Sequence, residues 1–164
     1  DVYKRQTYDS LTVRDDIQLG QRLDGTGLSP EEAAAKAGAD FISKLPNGLN
    51  TVEGPEYTNG FGFSGGQRQQ IAASRVLCRK PKILFADEPT ASLDAEHESV
   101  LTAGLTSNDR DCTVIYISHR FRTLLNADKI LVLNEGRLEA VGTHDQLMQD
   151  PEGTYARNYR LQSE

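Results

Sequence analysis

Pro81 constrains this chain more than any other residue. It lacks an amide proton and its ring clashes with the preceding turn, so the helical pattern of Ala72 to Lys80 has to end there. The residues that follow, Lys82-Ile83-Leu84-Phe85-Ala86, form a short apolar run. Such a run suits a strand covered on both faces of a parallel sheet. Thr113-Val114-Ile115-Tyr116-Ile117 is a second run of the same kind. Between the two, Ala95 to Leu105 carries a helical pattern, with Val100, Leu101 and Leu105 as its expected buried stripe. Strands alternating with helices predict an α/β fold.

Chemistry-bearing residues fall where such a fold places its ligands. Asp87 and Glu88 end the first apolar run, and Ser118-His119 follows the second. In open α/β sheets ligands bind outside the carboxyl ends of the strands. Two carboxylates there can divide the work, one holding a divalent cation and the other orienting or deprotonating a water. Taken alone, the same pair also reads as a solvated strand end. Upstream, Ser64-Gly65-Gly66-Gln67 opens a helix with the reciprocal capping pattern S-x-x-Q. Gly65 and Gly66 leave the first-turn amides bare, which makes a ready site for an anion such as phosphate. These four residues alone equally fit a capped helix with no guest.

The remaining segments are punctuated by caps and breakers. Thr12 and Gly20 bracket a short helix, and 21–28 is polar loop. Ser29-Pro30-Glu31-Glu32 combines a cap, a proline at the first helical position and a second capping box ahead of the alanine-rich 31–37. Gly38 interrupts that helix, and Asp40 to Leu45 predicts a further short one. Thr51 to Gly62 has no clean periodicity and reads as loop. Ser107 to Asp111 reads as a polar turn and Phe121 to Leu125 as a short helix. Two apolar runs flanking Asn134-Glu135-Gly136-Arg137 predict a hairpin. Thr143-His144-Asp145-Gln146 is a further capping box, with His144 expected at the surface, and a last helix carries Tyr155 and Tyr159.

The 164 residues suit one domain or most of one. The net charge of -6 argues against a free-standing nucleic-acid binder, which usually shows a basic patch. No apolar run is long enough to span a bilayer as a helix, and no signal peptide is visible. Cys78 and Cys112 share no metal-ligand spacing and read as reduced thiols. The chain begins at Asp1 rather than Met, which suggests a fragment or processed product, with residues 1–6 as a non-native or disordered leader.

In this order, the Ser-Gly-Gly-Gln helix, the strand, Asp-Glu-Pro-Thr and Ser-Leu-Asp resemble the ATP-binding cassette (ABC) ATPases. FSGGQRQQ is similar to their signature motif, ILFADE to their Walker B motif, ASLD to their D-loop, and Thr12 to Ile17 to a T-V-R-E-N-I-like helix. Gly54, Glu56, Tyr57 and Gly60 resemble a G-x-E-aromatic-x-x-G loop of exporter-type members, and the tail from Gly136 onward is also exporter-like. The resemblance covers residues 12–162 but only the carboxyl-terminal part of a cassette, and no G-x-x-x-x-G-K-[ST] phosphate loop occurs.

The resemblance implies a partial P-loop NTPase fold: a parallel sheet core flanked by helices, with a helical subdomain over 7–80 and the C-terminal part of the ATPase core, including a β-hairpin, over 81–164. It implies ATP and Mg²⁺ as cofactors. Asp87 would hold the metal, Glu88 would position or activate the attacking water, and His119 would contact the γ-phosphate. Ser64, Gly65, Gly66 and Gln67 would grip nucleotide bound to a partner, and Asp94 would link the two sites. The implied partners are a second ABC domain packed head to tail and a transmembrane domain, with no nucleic acid. The implied location is the cytoplasmic face of the cell membrane, and the implied function is ATP-driven export. Two rival readings are a soluble ABC ATPase of DNA repair or translation and a truncated, non-catalytic partner module. Without the phosphate loop, the chain alone is expected to have negligible ATPase activity.

Overall fold

The computed structural model describes residues 11–106 and 112–163. The leader over 1–6 and the polar turn over 107–111 lie outside the described residues. The chain divides into two compact units, the first running to Ile117 and the second beginning at Ser118.

The first unit is built on capped helices. They are α1 (Val13–Gln18), α2 (Pro30–Lys36), α3 (Gly65–Cys78) and α4 (Ala95–Thr106). Thr12, Ser29 and Ser64 cap the first three with reciprocal boxes; the sequence predicts the boxes at Ser29 and Ser64 and an N-cap at Thr12, whose box Asp15 completes. Each such cap contributes about 1 kcal/mol. The short helix expected after Gly38 is a 3₁₀ helix, Asp40–Lys44. Helix α3 packs against both α1 and α2. Its Ile71 joins Val13, Ile17, Ala33 and Leu101 in the core.

Two glycines let backbones touch without a side chain between them. A Cβ on Gly20 would lie 1.8 Å from the Arg75 carbonyl oxygen of α3. A Cβ on Gly104 in α4 would lie 1.8 Å from the Lys36 carbonyl oxygen of α2.

Strands β1 (Val52–Glu53) and β2 (Gly60–Phe61) form a short parallel pair inside the segment read from sequence as loop. Gly54 adopts φ +103, which turns the chain so that its N–H donates to the Phe61 carbonyl at 3.1 Å. Strands β3 (Ile83–Asp87) and β4 (Thr113–Ile117) pair in parallel, from Ile83 opposite Thr113 to Asp87 opposite Ile117.

Burial of this sheet departs from expectation. Leu84 and Ala86 are buried and Val114 and Tyr116 pack on the core, but Ile83 is 60% and Phe85 72% exposed. Ile115 and Ile117 are exposed as well. The sequence reading took both strands as covered on both faces, which requires helices on both sides. Within this unit the core lies against one face only. Val100 is also exposed, leaving Leu101 and Leu105 as the buried stripe of α4.

The second unit contains α5 (Phe121–Leu124), β5 (Ile130–Asn134), β6 (Arg137–Gly142), α6 (His144–Leu147) and α7 (Thr154–Ser163). β5 and β6 form the expected antiparallel hairpin. Its turn residues Glu135 and Gly136 have φ of 48° and 75°, the hand that matches the strand twist. Ile130, Leu147 and Tyr155 are the core, with Phe121, Leu124 and Met148 against them. His144, expected at the surface, is half-buried: its Nδ1 lies 3.0 Å from the Tyr155 hydroxyl and its ring meets Tyr159 edge-on.

Among the described residues no helix is long and apolar enough to cross a membrane. Gly20→Ala should push α1 off α3 and cost about 1–3 kcal/mol. A urea midpoint at or above that of the unsubstituted chain would contradict the close approach.

Candidate functional site

Helix α3 presents its amino end at the surface. Ser64 and Gly65 are exposed and Gly66 half-buried. The Gln67 N–H donates to Ser64 Oγ at 3.2 Å, and the Ser64 N–H donates to Gln67 Oε1 at 2.9 Å. Gln67 is thus engaged in the cap. Gly65 and Gly66 supply the side-chain-free first turn.

The exit from β3 faces this helix end. Asp87 is exposed at the last position of the strand. Glu88 follows with φ +46, a left-handed conformation costly for a residue with a Cβ, typically about 1–3 kcal/mol. Its neighbours enforce that conformation. The Glu88 N–H donates to the Ile117 carbonyl at 2.9 Å, and the Ala91 N–H donates to the Glu88 carbonyl at 3.2 Å. Gln69, on the second turn of α3, donates from Nε2 to the same carbonyl at 3.2 Å. Its Oε1 accepts from the Ser92 N–H at 3.1 Å.

The close fit continues at Gly66. A Cβ there would meet the Ser92 carbonyl oxygen at 3.0 Å and Leu93 Cδ2 at 3.1 Å. The structure therefore brings Gly65 and Gly66, next to Ser64, against the loop that leaves Glu88.

Asp94 closes this loop by capping α4. Its Oδ1 accepts from the His97 N–H at 3.0 Å and lies 2.8 Å from His97 Nδ1. The His97 backbone N–H, then its ring, hold the Asp94 carboxyl below its ordinary range. His119 belongs to the second unit, where it is exposed and its carbonyl accepts from Gln162 Nε2 at 2.8 Å.

Sequence reasoning missed two features. One is Gln69, which no motif logic separates from the polar residues beside it. The other is a buried charged cluster in the first unit. Arg75 of α3 pairs with Asp16 of α1 at 2.5 Å, with both side chains at least nine-tenths buried. Glu53 of β1 is buried beside them. Burial, then the neighbouring Asp16 charge and their hydrogen bond, push the Glu53 carboxyl up to about 8, with Arg75 and Arg68 acting in the opposite sense. Burial also raises Asp16, against the pull of Arg75. At neutral pH the two carboxyls share their site with a proton as well as with Arg75. A signal existed for part of this: Gln70, Ser74 and Arg75 occupy buried positions of α3 beside Ile71 and Cys78, at helical spacing.

The helix end, strand exit and capped loop thus lie together in the first unit, and comparison with known proteins gives the class. The ABC transporter family model matches residues 4–91. The alpha-hemolysin translocation ATP-binding protein HlyB of Escherichia coli is 44% identical over 93% of this chain and 21% of its own length. The leukotoxin translocation ATP-binding protein LktB of Mannheimia glucosida is 41% identical over 92% of this chain and 21% of its own. A bacterial Atm1-family ABC exporter, solved with ATP bound, superposes with a TM-score of 0.77 at 32% identity, over 97% of this chain and 28% of that one. The chain belongs to the ABC transporter family, and it spans 21% of the length of the HlyB and LktB relatives. The fold is that of an ABC-type P-loop NTPase in part, with its helical region and C-terminal hairpin.

The Glu53 cluster makes stability depend on pH. The folded carboxyl keeps its proton up to about 8, whereas the unfolded one releases it near 4.5. Between those values the folded state binds more protons, so stability falls as pH rises through that window. Glu53→Gln cannot ionise and should remove more than about 1 kcal/mol of that fall. Denaturant midpoints taken from pH 4.5 to 8.5 on both proteins check this; parallel profiles would contradict it.

Proposed function

We propose that this chain is the carboxyl-terminal part of the nucleotide-binding domain of an ABC exporter, with a helical subdomain over 7–80 and ATPase core over 81–164. In that reading the intact protein hydrolyses ATP to drive transport across a membrane, and this part lies at the cytoplasmic face. The observation that carries the proposal is the joint wall formed by the Ser64-Gly65-Gly66 helix end and the Glu88–Asp94 loop, stitched by Gln69. Similarity to HlyB and LktB, named as translocation ATP-binding proteins, supports the exporter assignment.

The roles are those that the resemblance to ABC ATPases implies. Glu88 orients or deprotonates the attacking water, and His119 contacts the γ-phosphate. Asp87 is a single exposed carboxylate at the strand exit, which fits Mg²⁺, an ion that takes one or two carboxylates and fills its shell with water and phosphate. The metal supplies neutralisation of the phosphate charge. Ser64, Gly65, Gly66 and Gln67 form the clamp for nucleotide bound to a second ABC domain, and Asp94 relays between the two sites. The phosphate loop of the partner cassette faces the Ser64 clamp, and since phosphoryl transfer is mostly positioning and charge neutralisation, these 164 residues, which hold no phosphate loop, lack most of what catalysis needs.

Purified residues 1–164 should show negligible ATP turnover, and robust Glu88-dependent turnover would overturn that. Mixed with a P-loop-bearing ABC domain, the chain should associate only when ATP is present. Light scattering reads this directly, and no association at saturating ATP counts against the composite clamp.

A further inference from the structure

The two bonds of Gln69 do different things. Its amide nitrogen donates to the carbonyl of Glu88 at 3.2 Å, and its amide oxygen accepts from the Ser92 N–H at 3.1 Å. One side chain thereby spans the loop from the strand exit to the residue that packs on Gly66. Among the described residues Glu88 is one of four non-glycine residues with positive φ, and its N–H is tied to Ile117. With the amide side fixed by β4, the carbonyl side decides how the Glu88 peptide is oriented and hence where its Cα–Cβ bond aims. The Ala91 turn holds that carbonyl from within the loop, whereas Gln69 holds it from α3. Gln69 is half-buried and reaches the loop from the helix whose first turn carries Ser64 and Gly65.

We propose that Gln69 is a positioning residue for ATP hydrolysis: its amide locks the Glu88 peptide to helix α3 and keeps the Glu88 carboxylate in register with the Ser64-Gly65-Gly66 clamp. This rests on the ATPase reading of Glu88. Gln69 touches no substrate. A shift of the helix end, as when the clamp engages or releases nucleotide, is passed through this amide to the Glu88 peptide and to Ser92 together. The two halves of the amide are chemically separable. Gln69→Glu keeps an acceptor for the Ser92 N–H but replaces the donor to the Glu88 carbonyl with a repelling oxygen. Gln69→Met keeps the length and loses both bonds.

The test uses the intact P-loop-bearing polypeptide that contains this sequence, with Glu88→Gln as the control for the underlying reading. Gln69→Met and Gln69→Glu should each lower kcat about ten- to a hundredfold while KM for ATP stays within about twofold, since misplacement of the reacting group affects the transition state more than ground-state binding. In the 164-residue chain, amide hydrogen exchange should show Ser92 protected in the Gln69→Glu variant and unprotected in Gln69→Met. That readout is independent of turnover and reports whether each variant folds. If Glu88→Gln abolishes turnover but both Gln69 variants keep kcat, the positioning role is wrong and the ATPase reading stands. If Gln69→Glu retains Ser92 protection and full kcat, the bond to Glu88 has no role in the reaction. If Glu88→Gln leaves turnover intact, the reading of Glu88 fails and the role of Gln69 falls with it.

Discussion

Helix α3 is anchored by polar contacts at both ends, and the first unit depends on this. At its amino end Ser64 and Gln67 satisfy each other's backbone donors. Toward its carboxyl end Arg75 is buried with Asp16 and Glu53, and Cys78 donates from Sγ to the Leu28 carbonyl at 3.1 Å. Between them Gln70 donates to the Gly38 carbonyl at 2.6 Å. A helix held only by apolar packing can slide or rotate at small cost. The bonds of Gln70, Arg75 and Cys78 to other elements specify one register, because each displaced partner would be left buried and unpaired.

The consequence reaches the site. With α3 fixed, Gly66 can approach the Ser92 carbonyl and Gln69 can span Glu88 and Ser92. The strained φ of Glu88 is sustained because three separate contacts define its peptide. Local strain of this kind persists where surrounding structure over-determines it, and it is concentrated at functional positions.

Much of this was legible in the sequence. The cap at Thr12 and the capping boxes at Ser29, Ser64 and Thr143 each begin a helix where the sequence says, since that signal is local and chemical. The parallel pairing of 83–87 with 113–117 follows from two apolar runs separated by a helix. What escaped was tertiary. An apolar run states that a strand can be buried on both faces, but not which faces its own unit covers, so Ile83 and Phe85 were misjudged. The pairing of β1 with β2 rests on two-residue strands, too short for any period to register. Glu53 looked like loop polarity, and only the approach of α1 and α3 turns it into a buried acid. Gln69 differs from its neighbours in what lies across from it, not in its type.

The uncovered β3–β4 face carries a further consequence for how this molecule looks in solution. Ile83, Phe85, Ile115 and Ile117 form a solvent-facing apolar ribbon on one face of the paired strands. Dyes such as ANS that brighten on exposed hydrocarbon are commonly read as marking a loosened, molten state. In the 164-residue chain the ribbon belongs to the folded arrangement itself, so bright dye fluorescence from that chain would accompany intact near-ultraviolet dichroism rather than its loss.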